Sequence, residues 1–440
     1  MAHTIAALAS APGMAGISIV RLSGNDSHAM LRQVFEPASS KDAFKPRYMM
    51  YGTLHDNKHP VDECMAVIFS APSSYTGEDS AEIHLHGSPL IVKECLNLLY
   101  RLGAEPAKPG EFTRRAFENG RMDLSRAEAV MQLISAQGEL SAKAALRQLR
   151  GGTFSFIHNI QKEVIDILST IEAAIDFPEE VEDSYSPSEL ASICDDIANR
   201  LLKSSDARSA KLLSLGLEVA IVGTPNAGKS SLFNTLLMED RAIVTETPGT
   251  TRDVLRASIV LSGVTVILND TAGIQDSKDA VEKLGIQRAK REMQTADLLI
   301  IVLDGAGPLS REARQILKEN THRSRIVLQS KVDINRTPYY DGALLFSSYT
   351  GEGMDEIRSA IIANINGVQD SELTLSRHVD LAKKAAQALT NAKQSFIDGD
   401  SPDLCAVHIQ DALRLLGEIT GDSVSEEVID SIFSNFCVGK

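Results

Sequence analysis

Hydrophobic and polar positions divide the chain into four textures. Up to about residue 118, short apolar runs stand between turn residues. Ile17-Ser-Ile-Val-Arg-Leu22 and Cys64-Met-Ala-Val-Ile-Phe69 read as strands, and Glu82-Ile-His-Leu-His86 alternates polar and apolar as a half-buried strand does. Pro12-Gly13 and Pro109-Gly110 punctuate this region with turns. From about 119 to 213 the period lengthens to that of a helix. Leu124, Ala127, Val130, Met131 and Ile134 share one predicted face, and Val164, Ile167, Leu168 and Ile171 another. Ile175-Asp-Phe-Pro178 should end a helix, because the residue before proline avoids the α region. Acidic residues recur through 163–199 without a Lys or Arg, which reads as a solvated helical face and loop.

At 217 the pattern becomes strand–loop–helix and stays so to about 370. Apolar strand candidates are 217–222, 258–261, 264–268, 296–303, 325–328 and 343–346. Helical segments separate several of them, which predicts a mostly parallel sheet covered on both faces. From about 375 the chain is helical again. Val424, Val428, Ile432, Phe433 and Phe436 form an apolar stripe, and Ser423 with Glu426 predicts a capping box ahead of it. Two helical blocks flanking an α/β block predict an inserted domain, with the flanks packed together.

Composition sets outer bounds. At 440 residues the chain has room for about three domains, and 43% hydrophobic residues exclude a wholly disordered chain. Lys+Arg is 44 against Asp+Glu 59, a net charge of -15. Bulk attraction to nucleic acid is therefore excluded, and any such contact needs a local basic patch. Cys64, Cys95, Cys194, Cys405 and Cys437 include no C-x-x-C pair, so a disulfide framework or zinc site is not expected and a reducing cytoplasm fits. His3, Pro12 and Gly13 interrupt the apolar N-terminal stretch, which lacks a basic flank; neither signal peptide nor membrane span is expected.

The strongest chemical signal is Gly223-Thr-Pro-Asn-Ala-Gly228-Lys229-Ser230, a G-x-x-x-x-G-K-[ST] match between an apolar strand and a helix. Backbone N–H groups of such a loop, from Asn226, Ala227, Gly228, Lys229, Ser230 and Ser231 here, cradle phosphate oxygens. Lys229 is expected at the β- and γ-phosphates and the Ser230 hydroxyl on Mg²⁺. Asp270-Thr-Ala-Gly273 follows another strand: Asp270 suits Mg²⁺ through water, and the Gly273 N–H the γ-phosphate. Gly249-Thr250-Thr251-Arg252-Asp253 between them has switch character; Thr250 is assigned to the nucleotide and Thr251 to the Mg²⁺ shell. Order and spacing resemble the translation-factor-like branch of P-loop GTPases. The base-reading element is Ser330-Lys331-Val332-Asp333, where that branch has Asn-Lys-x-Asp. Asp333 accepts from guanine and Lys331 covers the base, so GTP is expected, with an ATPase as the reading if Ser330 spoils guanine selection. Ser347-Ser348 is the candidate last base-contacting loop.

Ile274 stands where Ras-like enzymes place a water-orienting Gln. Positive charge for hydrolysis then has two sources: Arg252 in cis, or a K⁺ held by Asn226 with carbonyls of the loop containing Thr245, Thr247 and Thr250. Asn226 equally suits the shaping of its own loop. His84 and His86 share a strand face without a third metal ligand in spacing, so they read as surface histidines.

Taken together, the motifs resemble the MnmE (TrmE) family of tRNA-modification GTPases. The resemblance is carried by Thr4-Ile-Ala-Ala-Leu-Ala-Ser-Ala-Pro-Gly13 (wherein the run continues through Pro12), Gly16-Ile-Ser-Ile-Val-Arg-Leu-Ser-Gly24, Tyr75-Thr-Gly-Glu-Asp79, His84-Leu-His-Gly87, Pro109-Gly-Glu-Phe-Thr113, Arg115-Ala-Phe117, the 175–178 turn, the phosphate loop, 249–253, 270–273 and Cys437-Val-Gly-Lys440. It implies a multidomain chain: an α+β N-terminal folate-binding, aminomethyltransferase-like and dimerisation domain (1–118), a discontinuous α-helical domain (119–213 and 373–440), and an inserted Ras-like α/β P-loop GTPase domain (214–372). It further implies a cytoplasmic homodimer that works with the FAD protein MnmG (GidA) as a heterotetramer. Using a formyl- or methylene-type tetrahydrofolate derivative, the pair modifies C5 of the wobble uridine of certain tRNAs, with K⁺-stimulated GTP hydrolysis. Matching positions place Arg21, Glu78, Arg121 and Lys440 at the folate, Asn226 and 245–250 at K⁺, and Glu282 behind the attacking water. Cys437 is either a reactive thiol near the folate or an ordinary tail cysteine. Met14-Ala15, Arg121 and Ser330 depart from the family's usual residues. The alternative function is an RNA- or ribosome-binding regulatory GTPase without modification chemistry.

Overall fold

The computed structural model describes residues 3–39, 43–177, 186–239, 255–270, 294–368 and 371–440. Contacts divide the chain into two compact units. One comprises Met1–Met131, Leu149–Glu172 and Ile409–Lys440, the other Gln132–Gln148 and Ala173–His408.

The first unit is built on a seven-stranded sheet in the order β3-β4-β5-β6-β2-β1-β7. Its strands are β1 (Ile5–Leu8), β2 (Ala15–Ser23), β3 (Phe35–Pro37), β4 (Met50–Asp56), β5 (His59–Phe69), β6 (Ser80–Gly87) and β7 (Glu105–Pro106). All neighbours are antiparallel except β1 and β7. The expected alternation in β6 is present: Ala81, Ile83 and Leu85 are buried, while Glu82, His84 and His86 lie on the opposite face. The buried face packs on α1 (Ser27–Val34) and α2 (Pro89–Arg101) through Val20, Leu22, Leu31, Ile83, Leu85 and Leu99. Pro89 opens α2 at a position whose N–H has no helical acceptor, which is why proline is tolerated there.

Next come α3 (Glu111–Glu118), α4 (Leu124–Ser135), α5 (Glu139–Leu149) and α6 (Gly152–Asp176). Helix α6 ends at Asp176, ahead of the Phe177-Pro178 pair, as the sequence predicts. The predicted face of α4 is only partly right. Leu124 and Ala127 are buried, Ala129 is buried in addition, and Ile134, near the end of the helix, is 46% exposed. In α6 the buried line runs Ile157, Ile160, Val164, Ile167 and Ile171, with Leu168 at its margin.

The second unit holds a six-stranded sheet in the order β13-β12-β11-β8-β10-β9. Its strands are β8 (Leu217–Gly223), β9 (Leu255–Leu261), β10 (Val264–Asp270), β11 (Leu298–Leu303), β12 (Arg325–Gln329) and β13 (Leu344–Leu345). Only the β9–β10 edge pair is antiparallel. The apolar stretches Val219–Val222 of β8 and Leu298–Leu303 of β11 follow from burial on both faces. Covering helices include α9 (Lys229–Glu239), α10 (Arg311–Glu319) and α11 (Met354–Ala363). The flanks of this block do meet. Helix α7 (Pro187–Lys203) packs along α12 (Ser376–Asp398), with Lys393 on Asp195 at 2.8 Å, and α8 (Ala207–Ser214) lies beside them.

The chain then forms α13 (Pro402–Thr420) and α14 (Glu426–Ser434). The capping box expected from Ser423 and Glu426 is not what opens α14. Ser423 belongs to the preceding turn, where its N–H and that of Asp422 both point to the Gly417 carbonyl. The cap is Ser425, two residues later. Val424 therefore lies outside the helix and Val428 is 38% exposed; Ile429, Ile432, Phe433 and Phe436 form the apolar side. This side packs on Phe117, Leu124 and Ala127, and Gly110 at the start of α3 meets it closely. A Cβ at Gly110 would stand 2.8 Å from the Phe433 carbonyl oxygen.

Candidate functional site

Two groups of polar residues stand out, one in each unit. In the second unit, parallel pairing sets Ile221 of β8 opposite Asp270 of β10, so the 223–230 loop and the Asp270 carboxylate leave the same edge of the sheet. The loop needs unusual backbone: Asn226 has φ 59 and Gly228 φ 96, both left-handed. Glycine tolerates this region freely, and asparagine better than most residues. Asn226 takes the left-handed backbone that the loop needs, and its side chain is exposed. Ala227 is buried, while Ser230 and Ser231 are exposed in the first turn of α9. Lys229 reaches back over the loop, and its ammonium donates to the Thr224 carbonyl at 2.9 Å. Burial pulls the Lys229 ammonium below the usual lysine range, with Asp270 acting the other way. Asp270 is itself only 1% exposed.

The base-reading candidates gather beside this loop. Ser330 is buried, and its hydroxyl donates to the Leu303 carbonyl at 3.1 Å. It touches the phosphate loop, since a Cβ on Gly228 would lie 3.3 Å from the Ser330 Cβ. Lys331, with φ 57, donates to Asp304 at 2.9 Å. The buried Ser347 hydroxyl donates to the Asp333 carboxylate at 2.6 Å, while Ser348 is exposed. Asp304 is a residue that sequence reasoning missed. Its signal is a carboxylate directly following the all-apolar β11, at the edge that carries Asp270. Thr245, Thr247, Thr250, Thr251, Arg252, Gly273, Ile274 and Glu282 lie outside the described residues.

In the first unit, the open face of the sheet carries a charged cluster. Antiparallel register sets Arg21 opposite Glu82. The guanidinium donates to Glu82 at 2.9 and 3.0 Å and lies 5.4 Å from the Tyr75 ring centre and 5.8 Å from that of Phe112. His84 also meets Glu82, at 3.2 Å. That hydrogen bond, joined by Arg21, holds the Glu82 carboxyl below the usual glutamate range against the opposing effect of burial. Glu78 accepts from Ser23 at 2.7 Å and from Arg115 at 3.1 Å. Arg121 is exposed, its stem 3.2 Å from where a Cβ on Gly77 would be.

Residues 437–440 close over this cluster. Gly110 N–H donates to the Cys437 carbonyl at 3.3 Å. Gly439 is buried with φ 94, against the backbone of Leu8. Lys440 is held below the usual lysine range, first by burial and then by the nearby Arg21 charge, with Glu82 acting oppositely. The Cys437 backbone is therefore docked, while the residue is exposed. Glu82 and Arg115 were not anticipated from sequence; Glu82 was legible only as the outward position of an alternating strand. His86 pairs with Asp62 at 2.7 Å, and among the described residues no group of three potential ligands is arranged for a metal ion.

Comparison with known proteins finds relatives along the whole chain. The family model described as GTP-binding protein TrmE N-terminus matches residues 4–121, and that of the MnmE helical domain matches 124–437. The tRNA modification GTPase MnmE of Thermotoga maritima is 40% identical, over 99% of this chain and 100% of that protein. The protein of the same name from Aquifex aeolicus is 39% identical over 100% of both chains. Among solved structures, the G domain of the T. maritima FeoB iron transporter is 28% identical, covering 34% of this chain and 99% of that chain with a TM-score of 0.27.

Proposed function

The chain belongs to the MnmE (TrmE) family of tRNA modification GTPases, and from that premise we propose how its residues divide the work. It is a GTP hydrolase acting in tRNA modification. The observation that carries the residue assignment is the convergence of Lys229, Asp270, Ser330 and Asp333 around one edge of the parallel sheet. The phosphates of GTP lie along residues 226–231, with Lys229 exchanging its Thr224 partner for them. Asp333, oriented by Ser347, accepts from guanine, and Lys331 covers the base beside Ser348.

Mg²⁺ suits the oxygen donors Ser230, Asp270 and Thr251, and would neutralise phosphate charge when bound. K⁺ suits the exposed Asn226 amide with Thr245, Thr247 and Thr250, because Ile274 leaves no side chain after Gly273 to orient water. Glu282 then positions the attacking water through a second one. In the first unit, a tetrahydrofolate derivative is held by Arg21, Glu78, Arg121 and Lys440. Support comes from Lys440 lying near Arg21 and Glu82, with the Arg21 guanidinium over the Tyr75 and Phe112 rings. The folate would supply the one-carbon unit, and Cys437 is the candidate nucleophile at its margin. The same reading has a cytoplasmic homodimer and an FAD-dependent partner completing the change at the wobble uridine.

The test is mass spectrometry of wobble uridines from a deletion strain carrying the wild-type chain or Lys229→Ala. Restoration by the wild type and not by the variant is expected. Normal wobble uridines in the deletion strain itself would refute the reading and favour a regulatory GTPase. In vitro, GTP turnover should rise when K⁺ replaces Na⁺ at equal ionic strength, and Asn226→Ala should abolish the rise. Equal turnover in both salts, with collapse on Arg252→Ala, would transfer the role to the arginine.

A further inference from the structure

On the β11–β12 side of the second unit, a groove of about 490 Å³ opens between α10 and the segment around Tyr339 and Tyr340. Its floor is apolar, from Pro308, Leu309 and Leu317, and no carboxylate lines it. Three cations do: Arg314, Lys318 and Arg325. Arg314 and Lys318 stand one helical turn apart, both exposed and without an ion pair among the described residues. Arg311 extends the row at the start of α10. Arg325 is fixed, its guanidinium donating to the Leu317 carbonyl at 2.6 Å and to the Tyr340 hydroxyl at 3.1 Å. Gln329 holds the Tyr339 N–H at 2.7 Å, so the backbone that presents the tyrosines is anchored to β12. In a chain of net charge -15, this is a local reversal of sign.

We propose that this groove binds tRNA, with phosphates at Arg314 and Lys318 and a sugar or base against Tyr339 and Tyr340. Cations spaced along one helix face complement a row of phosphates, and aromatic rings offer an unstacked base a sequence-independent platform. A polyanion whose backbone charge alternates with apolar rings fits both halves of the lining; a simple anion uses only the cations. The inference rests on the tRNA substrate of the family alone and not on the folate or K⁺ assignments.

The test uses the full chain and fluorescently labelled tRNA, with anisotropy titrations from 50 to 200 mM salt. Each lost phosphate contact lowers the slope of log K against log salt by roughly 0.7–0.9. Arg314→Glu with Lys318→Glu should therefore flatten the plot by about two contacts. Over that salt range the wild type should lose roughly tenfold more affinity than the variant. Arg314→Gln with Lys318→Gln should weaken binding less, and both variants should keep the melting temperature and the tRNA-free GTP turnover of the wild type. Superimposable salt plots for folded variants would overturn the proposal. So would intact tRNA affinity with loss of salt-sensitive binding to polyglutamate, which would mark the groove as a protein-docking surface. Failure here leaves the wobble-uridine test standing, and the two results are separable.

Discussion

Replacing Gly439 by Ala should release residues 437–440 from the first unit while leaving its sheet folded. The added Cβ would lie 2.1 Å from the Leu8 carbonyl oxygen and 3.0 Å from the Ala9 Cα. Both are backbone atoms of a paired strand and the turn after it, so neither moves aside as a flexible side chain would. Gly439 also has φ 94, a conformation that costs a non-glycine residue about 1–3 kcal/mol. Against this, the segment is held weakly: Gly110 donates to Cys437 at 3.3 Å, and the residues at 437 and 438 are exposed. A penalty of about 1–3 kcal/mol raises the population of the released state roughly 5–150-fold. Hydrogen exchange at the Gly110 amide reads that population directly, because its acceptor leaves with the segment. Exchange elsewhere in β2 and β6 should be unchanged, since Val20, Leu22, Ile83 and Leu85 pack on the other face. Unaltered protection of Gly110 in Gly439→Ala would refute the docking argument. Loss of protection throughout β2 and β6 would show instead that the segment supports the whole sheet.

Ser330→Asn should tighten GTP binding about fivefold, by giving the phosphate loop an amide partner worth ~1 kcal/mol; isothermal titration with GTP checks this, and weaker binding would mean that the Gly228 contact leaves no room. Glu82→Gln should remove an acid-dependent part of the stability. A carboxyl whose folded pKa is depressed stabilises the native state above its unfolded value near 4.5, and this contribution disappears as pH falls through the lower folded value. Wild-type and variant melting curves should therefore converge in acid and separate towards neutral pH.

Much of the second sheet was legible because its code is local. Residues 219–222 and 298–303 are apolar throughout, as strand segments buried on both faces are, and the phosphate loop sits between the first of them and a helix. What escaped was set by pairing across long separations. Arg21 meets Glu82 through strand register, and nothing in the residues around either one specifies the other. The α14 cap failed for a related reason. Ser423 and Ser425 are both good caps in sequence, and the choice was made by the Gly417 turn, which claims the backbone of Ser423. Lys440 is expected beside Arg21 only through the family resemblance; the close approach that puts it there involves Gly439 and Leu8, far apart in the chain.

The interleaved make-up of the first unit bears on how the chain matures on the ribosome. Residues 409–440 belong to the unit that begins at the N-terminus, but 173–408 are synthesised before them. At roughly 5–20 residues per second, that intervening stretch takes on the order of 10–50 s. During that time Phe117, Leu124 and Ala127 lack Phe433 and Phe436, their later partners, and present apolar surface to solvent or to a chaperone. The nucleotide-binding half can fold before the first unit is complete, because its own residues end at His408. A nascent chain arrested between 408 and 440 would thus bind nucleotide yet expose an unfinished hydrophobic surface, a state that quality control can distinguish from the finished protein.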